Sequence, residues 1–323
     1  MALPVTTQQW SWQGFLLAYS HQPGPTPSAP QVLLVHGFGA NRNHWRHTLP
    51  ALAQEAGVWA IDLLGFGASS KPPSQLKGEP DHPGAVRYGF DLWAEQLVAF
   101  IDAVVRPSHP TAPVHLVGNS IGAVVCLNAA RLLVSREQPL ASLVLIDCAQ
   151  RTLDDKRADR LSPLERSTKP LIKQLVHRRW LLALLFRNLA RPAVIKRVLA
   201  QAYPSGANVD DALVELLYRP STDSGALESF RGFVNLFDDH LAPDLLAELE
   251  RTAPQLPVRL LWGAADPWED PAEARHWADT YGCIRELVVL PGLGHCPHDE
   301  APELVNPILL KWLSATTTSP TTD

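Results

Sequence analysis

The sequence has few cysteines, and the cysteines it has are not paired in sequence. Four cysteines occur among 323 residues, none of them in a CxxC pair. The twelve histidines are scattered and no H-E-x-x-H motif occurs, so we expect no metal site. We expect the four cysteines to be reduced and buried, as small apolar side chains; they are Cys126, Cys148, Cys283 and Cys296.

The sequence also lacks a long hydrophobic run and a strong charge of either sign. The apolar stretch at residues 180–186 is far shorter than the roughly 18 residues that a membrane span needs. The first ten residues have neither the basic nor the apolar region of a secretory signal. A formal net charge of −5 gives no global basic footprint for nucleic acid. We therefore expect a cytoplasmic protein that binds no nucleic acid.

Short apolar runs alternate with helical patterns along most of the chain. Helical spacing covers residues 90–105, 121–133 and 302–313. The alternation predicts an α/β fold, a mostly parallel sheet with helices on both faces. The Trp- and Phe-rich pattern of residues 8–19 predicts one or two antiparallel edge strands. The runs typical of buried parallel strands are residues 31–36, 58–62, 114–119, 143–147, 258–263 and 287–292.

The alternation stops between residues 151 and 253, where helical segments and proline-containing turns replace the strands. We therefore predict an all-helical lid insertion at 151–253, within a discontinuous α/β core made of residues 1–150 and 254–316. An insertion at the carboxyl ends of the strands would lie over the crevice where ligands bind. Residues 317–323 have the composition of a disordered tail.

A G-x-S-x-G pentapeptide at residues 118–122 is the strongest chemical signal. It follows an apolar run and precedes a helical pattern, which is the context of a nucleophile elbow. A serine on such a strained turn presents its hydroxyl above the sheet, and glycines two residues away on each side avoid collisions. The other interpretation is a glycine-rich turn with a helix-capping serine. Ser120 is the candidate nucleophile.

Two later loops offer the partners that a serine nucleophile needs. Asp266 follows the run 258–263, and His295 lies in the glycine-rich loop after 287–292. The chain order Ser, acid, His is that of an elbow-type triad. His295 would accept the serine proton and Asp266 would orient the imidazole. Asp147 also ends a predicted strand and is the rival acid. His298 is the rival base, and we expect it to be structural.

The motif His36-Gly37-Phe38-Gly39 follows the first predicted parallel strand. Acyl transfer builds negative charge on the carbonyl oxygen, and two backbone N–H groups must face that oxygen. We assign these donors to the amides of Phe38 and Ile121, and we expect His36 to brace the loop. An apolar substrate pocket is predicted at Trp45, Phe66 and Trp268.

Through these motifs, the sequence resembles the α/β-hydrolase superfamily over about residues 31–150 and 255–315. The strings that carry the resemblance are VHGFGANRNHW, DLLGFGASSKP, GNSIG, WGAADPW and GHCPHDEAPELVN. The chain is most similar to the plastid and cyanobacterial branch that includes pheophytinase-like chlorophyll-side-chain esterases. Ala123 departs from the pattern, since many members have glycine there. Haloalkane dehalogenases and epoxide hydrolases of this fold use an aspartate where this chain has Ser120.

The resemblance implies the triad and the oxyanion hole already assigned. It implies a serine hydrolase that cleaves an apolar carboxylic ester through an acyl-enzyme, without a cofactor. A phytyl-type pigment ester is the candidate substrate. Two alternatives stay open: hydrolysis of a carbon–carbon bond in a diketone, and a receptor-like binding module with very low turnover.

The predicted lid carries an unusual charge pattern. Residues 167–200 contain eight bases, no acid and many interleaved apolar residues. Such a basic amphipathic segment either binds an anionic membrane surface peripherally or forms an ordinary lid with a solvated basic face. The expected partner is therefore the apolar ester substrate, with peripheral membrane association through residues 167–200 left open, and we expect a monomer or a weak homodimer.

Overall fold

The computed structural model describes residues 6–152, 154–160 and 163–314. Eight strands form one sheet. When the strands are numbered along the chain, their order across the sheet is 1, 2, 4, 3, 5, 6, 7, 8. The first and second strands pair antiparallel, as do the second and fourth, and the other neighbours pair parallel. The strands are β1 (Thr6–Trp12), β2 (Phe15–Gln22), β3 (Gln31–Val35), β4 (Gly57–Ile61), β5 (Val114–Asn119), β6 (Ser142–Ile146), β7 (Val258–Gly263) and β8 (Ile284–Leu290).

The mostly parallel α/β architecture predicted from the sequence is therefore confirmed. Each of the six predicted runs contains a strand of the sheet, and residues 8–19 fall in the antiparallel pair β1 and β2. The strand β8 begins at Ile284, three residues before the predicted run. It is an edge strand that is only partly buried, so Arg285 and Glu286 interrupt the apolar run there.

Helices connect the strands on both faces of the sheet. A π-helical turn at Ile101–Val105 joins the second and third helices, and 3-10 turns occur at Arg42–Trp45, Asp155–Arg160 and Arg219–Thr222. The α-helices are α1 (Thr48–Leu52), α2 (Phe90–Phe100), α3 (Arg106–Ser108), α4 (Ile121–Ser135), α5 (Pro163–His177), α6 (Arg179–Leu189), α7 (Pro192–Ala202), α8 (Asp211–Tyr218), α9 (Ala226–Val234), α10 (Ala242–Thr252), α11 (Pro271–Thr280), α12 (Pro297–Glu300) and α13 (Pro302–Ser314).

Two apolar cores lie on opposite faces of the sheet because successive strand residues point to opposite sides. In β3, Leu33 and Val35 join the core that includes α2, α4, α10 and α11. Val32 and Leu34 join the other core, which includes α1 and α13. Both faces are covered, which is the reason the parallel strands are nearly continuous apolar runs.

The residues between β6 and β7, 151–253, are called the helical segment below. Its described residues contain α5 to α10 and no strand. Its last helix, α10, packs into the core with α4, whereas Val176 and Leu182 form a small separate cluster with Phe230 of α9. The division into a core and a lid stays a prediction, and the predicted tail, 317–323, lies outside the described residues.

None of the helices in the described part of the chain is long and apolar enough to cross a bilayer. The four cysteines are buried and free of disulfide bonds, as the sequence analysis expected.

The parallel strands point the same way, so the loops at their carboxyl ends share one edge of the sheet. The motif at residues 36–39 follows β3, and Ser120 follows β5. Asp147 follows β6, Asp266 follows β7 and His295 follows β8. The topology alone therefore gathers the chemically interesting residues at this edge.

Candidate active site

Ser120 lies on a strained turn between β5 and α4. Its backbone has φ +56° and ψ −121°, a conformation that costs energy for a side chain other than glycine. A Cβ at Gly118 would lie 2.3 Å from the Gly122 carbonyl oxygen, and one at Gly122 would lie 2.4 Å from the Val35 carbonyl oxygen. Only glycine fits either position. The Ser120 side chain makes no capping hydrogen bond to α4, so the helix-cap interpretation does not describe it.

Asp266 and His295 are brought together from different strand ends. His295 Nδ1 lies 2.8 Å from Asp266 Oδ2. The other oxygen, Asp266 Oδ1, accepts hydrogen bonds from the backbone N–H groups of Trp268 at 2.9 Å and Glu269 at 3.2 Å. Burial tends to raise the pKa of Asp266, but these hydrogen bonds and the His295 ring hold that pKa below its ordinary value. Asp266 is therefore an ionised carboxylate at neutral pH.

The loops that carry Asp266 and His295 touch through glycine backbone. A Cβ at Gly263 would lie 2.0 Å from the Gly294 carbonyl oxygen, so the end of β7 and the histidine loop are in direct contact. The helical segment also reaches this loop, because the His295 N–H donates to the Ala202 carbonyl at 2.9 Å. The end of α7 thus supports the histidine loop through this hydrogen bond.

Asn119 is a site residue that the sequence analysis missed. Its side-chain Nδ2 donates to the His295 carbonyl at 3.0 Å and to the Ile146 carbonyl at 3.3 Å. It thereby ties the histidine loop to the residue before Ser120. The only sequence signal was a polar residue at the end of the otherwise apolar strand β5, inside the pentapeptide.

Asp147, the rival acid, lies beside Asp266 and is fully buried. Its Oδ1 accepts a hydrogen bond from the Gly263 N–H at 2.9 Å, and a carboxyl oxygen of Asp147 lies within 4.8 Å of one of Asp266. Burial and the negative charge of Asp266 raise the pKa of Asp147 well above its ordinary value. The structure therefore places a neutral acid next to an ionised one, and His295 hydrogen-bonds to the ionised one.

These three residues also form a group that could be tested for metal binding. Asp147, Asp266 and His295 each place one ligand atom within 4.8 Å of the others. However, His295 Nδ1 is already hydrogen-bonded to Asp266, and a neutral Asp147 is a poor ligand. The donor set fits a proton network better than a cation.

The loop 36–39 lies against the serine. A Cβ at Gly37 would lie 3.1 Å from the Ser120 Cβ. Within the described part of the chain, the amides of Phe38 and Ile121 have no hydrogen-bond acceptor, so both donors are available. His36 braces the loop, since its Nδ1 donates to the Gly37 carbonyl and its Nε2 accepts from the Leu63 N–H.

The residues predicted to line the pocket do not all lie together. Phe66 contacts the Phe38 ring edge-on, with centroids 5.9 Å apart, and Trp268 contacts His295, with centroids 4.8 Å apart. Trp45 lies instead in the core on the α1 and α13 face. Phe233 of α9, which the sequence analysis did not single out, stacks on Phe38 at 3.8 Å.

His298, the rival base, is buried beside Trp45, with ring centroids 4.3 Å apart. Neither of its ring nitrogens has a hydrogen-bond partner. Burial lowers its pKa well below the ordinary value. Its place in the packed core agrees with the structural role that we expected.

Known proteins are similar in sequence to most of this chain. The chain is 26% identical to the chloroplastic pheophytinase of Arabidopsis thaliana, over 97% of this chain and 67% of that protein. It is 28% identical to the dihydrolipoyllysine-residue acetyltransferase component of the acetoin cleaving system of Pseudomonas putida, over 90% of this chain and 64% of that protein. The chain thus spans about two thirds of the length of these relatives.

A solved structure of a serine hydrolase involved in carbazole degradation is similar in fold. It superposes with a TM-score of 0.70 at 20% identity, and the match covers 97% of this chain and 100% of that one. The model of the alpha/beta hydrolase family matches residues 32–308, which include all eight residues assigned to the candidate site. The chain therefore belongs to the alpha/beta hydrolase family.

Proposed function

We propose that this hydrolase cleaves an apolar carboxylic ester, with Ser120 as the nucleophile. The observation that carries the proposal is the 2.8 Å hydrogen bond between His295 and an ionised Asp266, tied by Asn119 to the strained turn of Ser120. A nucleophile, a base and a residue that orients the base are the parts that acyl transfer needs.

In the proposed reaction, Ser120 Oγ attacks the ester carbonyl while His295 Nε2 takes the hydroxyl proton. The negative charge on the carbonyl oxygen is stabilised by the amides of Phe38 and Ile121, for which the described residues provide no other acceptor. His295 then gives its proton to the leaving alcohol, and an acyl-enzyme remains. Water, deprotonated by His295, attacks the acyl group and releases the acid and free Ser120.

An apolar ester is favoured by the side chains around the serine. Phe38, Phe66 and Phe233 contact one another, and Trp268 lies against His295. A relative is named a pheophytinase, which makes a phytyl-type pigment ester the candidate substrate. The helical segment would act as the lid, since α9 covers Phe38 and the end of α7 contacts the histidine loop. The buried free thiols agree with action in the reducing cytoplasm.

The test is turnover of a chain-length series of chromogenic esters, followed by pigment esters. We compare the wild type with Ser120→Ala and with Ser135→Ala, a matched control at the exposed end of α4. We expect Ser120→Ala to abolish turnover while Ser135→Ala behaves as the wild type. Equal rates in all three proteins contradict the proposal.

The same experiment separates the alternatives. A diketone panel that is cleaved faster than every ester indicates a carbon–carbon bond hydrolase that uses the same triad. A folded wild type that turns over nothing, yet binds an apolar ligand, indicates a binding module.

A further inference from the structure

The exposed apolar side chains of this protein are concentrated on one region. Eight of the twelve large apolar side chains that are well exposed in the described part of the chain lie between residues 164 and 198. Isolated exposed apolar residues are ordinary, but a concentration of them marks an interaction surface. The eight are Leu164, Leu171, Ile172, Leu175, Trp180, Leu184, Leu189 and Val198.

The basic residues of the same region are only partly neutralised. Lys169 and Lys173 pair with Asp155, Arg179 pairs with Glu228, and Lys196 lies 3.6 Å from Asp211. Among the described side chains of residues 164–198, four exposed arginines form no ion pair with an acid; they are Arg178, Arg187, Arg191 and Arg197. This leaves a positive surface on a chain whose formal net charge is −5.

Helix α6 shows that apolar and basic residues share one outer face. Trp180, which is 66% exposed, Leu184 and Arg187 follow one another at intervals of four and three residues within α6, so they lie on one side. The opposite side is anchored, because Leu182 is fully buried in the cluster with Phe230. The outer face is therefore available without unfolding the helical segment.

We propose that the outer face of α5 to α7 docks on a lipid bilayer that contains anionic headgroups. The arginines without acidic partners supply the long-range attraction to such a surface. The leucines and Trp180 supply apolar area that enters the boundary between headgroups and acyl chains. A zwitterionic bilayer or a neutral apolar protein face would satisfy only the apolar half of this surface.

The test is sedimentation of the full-length protein with vesicles. Vesicles of phosphatidylcholine alone are compared with vesicles that also contain phosphatidylglycerol, at low and high salt. We expect binding to the mixed vesicles only, weakened by salt. Binding is read without turnover, so the result does not depend on the proposed esterase activity.

Two pairs of variants test the surface itself. Arg187→Gln with Arg191→Gln removes two charges that have no acidic partner, and should lower the vesicle partition coefficient about 30-fold. Its control is Arg136→Gln with Arg275→Gln, two exposed arginines outside the helical segment that form no ion pair with an acid among the described side chains. We expect the control to bind as the wild type.

The second test variant combines Trp180→Ser and Leu184→Ser. Its control variant combines Leu16→Ser and Leu304→Ser, at two exposed leucines outside the helical segment. We expect the test variant to lower binding at least about tenfold and the control to leave it unchanged. Absence of binding, equal binding to both vesicle types, or equal loss in the controls overturns the proposal. Self-association that Trp180→Ser abolishes, without vesicle binding, overturns it in favour of a second copy as the occupant.

A different observation carries a second inference, which rests on the proposed function. A carboxyl oxygen of Asp147 lies within 4.8 Å of one of Asp266; His295 hydrogen-bonds to Asp266, and the Gly263 N–H holds Asp147 in place. We infer that Asp147 is a positioning residue whose carboxyl O–H donates to Asp266 and holds that carboxylate toward His295. Its Oδ2 is buried and has no hydrogen-bond partner in the described part of the chain, so this oxygen is free to carry the donating O–H.

The side-chain amide of asparagine can reproduce this role, which makes the inference testable. In Asp147→Asn, an N–H replaces the O–H toward Asp266 and the amide oxygen can still accept from the Gly263 N–H. We expect kcat within about threefold of wild type for Asp147→Asn. For Asp147→Ala we expect kcat to fall about 10- to 100-fold at little changed KM, because a displaced catalytic group costs rate.

A pH readout tests whether Asp147 is protonated in the folded protein, as an O–H donor to Asp266 must be. The folded protein holds a proton on Asp147 that the unfolded chain releases near pH 4, so this residue makes stability fall as pH rises above that value. Asp147→Asn removes this contribution, and its melting temperature should depend less on pH. Loss of activity in Asp147→Asn, or full activity in Asp147→Ala, overturns the inference. If Ser120→Ala retains turnover, the proposed function itself fails.

Discussion

Removing the side-chain amide of Asn119 tests whether the histidine loop is held by the elbow. Asn119→Ala deletes the Nδ2 donor to the His295 carbonyl at 3.0 Å and to the Ile146 carbonyl at 3.3 Å. Asn119 is almost fully buried, with 2% exposure, so water does not readily replace the amide. The variant leaves the buried His295 carbonyl without this donor, whereas the Ile146 carbonyl still accepts from the Ser120 N–H at 2.9 Å.

The size of the effect follows from these contacts. An unsatisfied buried polar group costs about 1–3 kcal/mol. Unfolding entropy near 2.1 cal/mol/K per residue gives a chain of this length about 0.7 kcal/mol/K. The melting temperature should therefore fall by about 1.5–4.5 °C. A displacement of the His295 loop on the order of 1 Å should lower kcat about 100-fold.

The assay pairs melting temperature with ester turnover, and Asn128→Ala is the matched control. Asn128 is also fully buried, on α4, and its Nδ2 donates to Asp91 Oδ1 at 3.0 Å. Its loss should lower stability by a similar amount and leave kcat near the wild-type value. Equal kcat losses in the two variants would refute the reasoning, because the effect would then follow stability and not the position of His295.

Three further outcomes are expected. Asp266→Asn should lower kcat about 10⁴-fold at a near-normal melting temperature, because the amide cannot stabilise the imidazolium of His295. A kcat within tenfold of wild type would contradict this role of Asp266. Burial raises the pKa of Glu269 to about 8, so the folded protein holds a proton that the unfolded chain loses near pH 4.5. The contribution of Glu269 to stability should fall with rising pH between about 4.5 and 8, so the melting temperature of Glu269→Gln should rise relative to that of the wild type as pH increases through this range. Gly263→Ala, whose Cβ would lie 2.0 Å from the Gly294 carbonyl oxygen, should cost about 1–3 kcal/mol or more and most activity; Gly282→Ala, which meets only the end of the Glu250 side chain, should do neither.

Apolar periodicity was enough to predict the sheet because the parallel strands are covered on both faces. Apolar periodicity predicted the edge strands less well. The strand β8 is half-buried, so its polar first residues Arg285 and Glu286 concealed its start. Short helices such as α1, with five residues, are too short for a 3.6-residue period to show.

The residues of the candidate site also differ in how well the sequence predicts them. Residues whose roles require a particular backbone, such as the glycines around Ser120, leave a motif in the sequence. Residues that act by a contact across the fold leave none. The pairing of Asn119 with the His295 loop joins positions 176 residues apart, and Phe233 meets Phe38 only because α9 folds back over the sheet edge. The contact of Asp147 with Asp266 depends on which strands are neighbours, and β6 and β7 are separated by the whole helical segment.

Covalent labelling tests the central claim, that Ser120 is the nucleophile of an acyl-transfer triad. The protein is incubated with an alkyl fluorophosphonate, which reacts with activated serines, and its intact mass and labelled peptide are determined. We predict one adduct per chain on the peptide that contains Ser120, no adduct in Ser120→Ala, and much slower labelling in His295→Ala because the base is missing. An unlabelled wild type that is folded, or equal labelling of the wild type and Ser120→Ala, would contradict the claim.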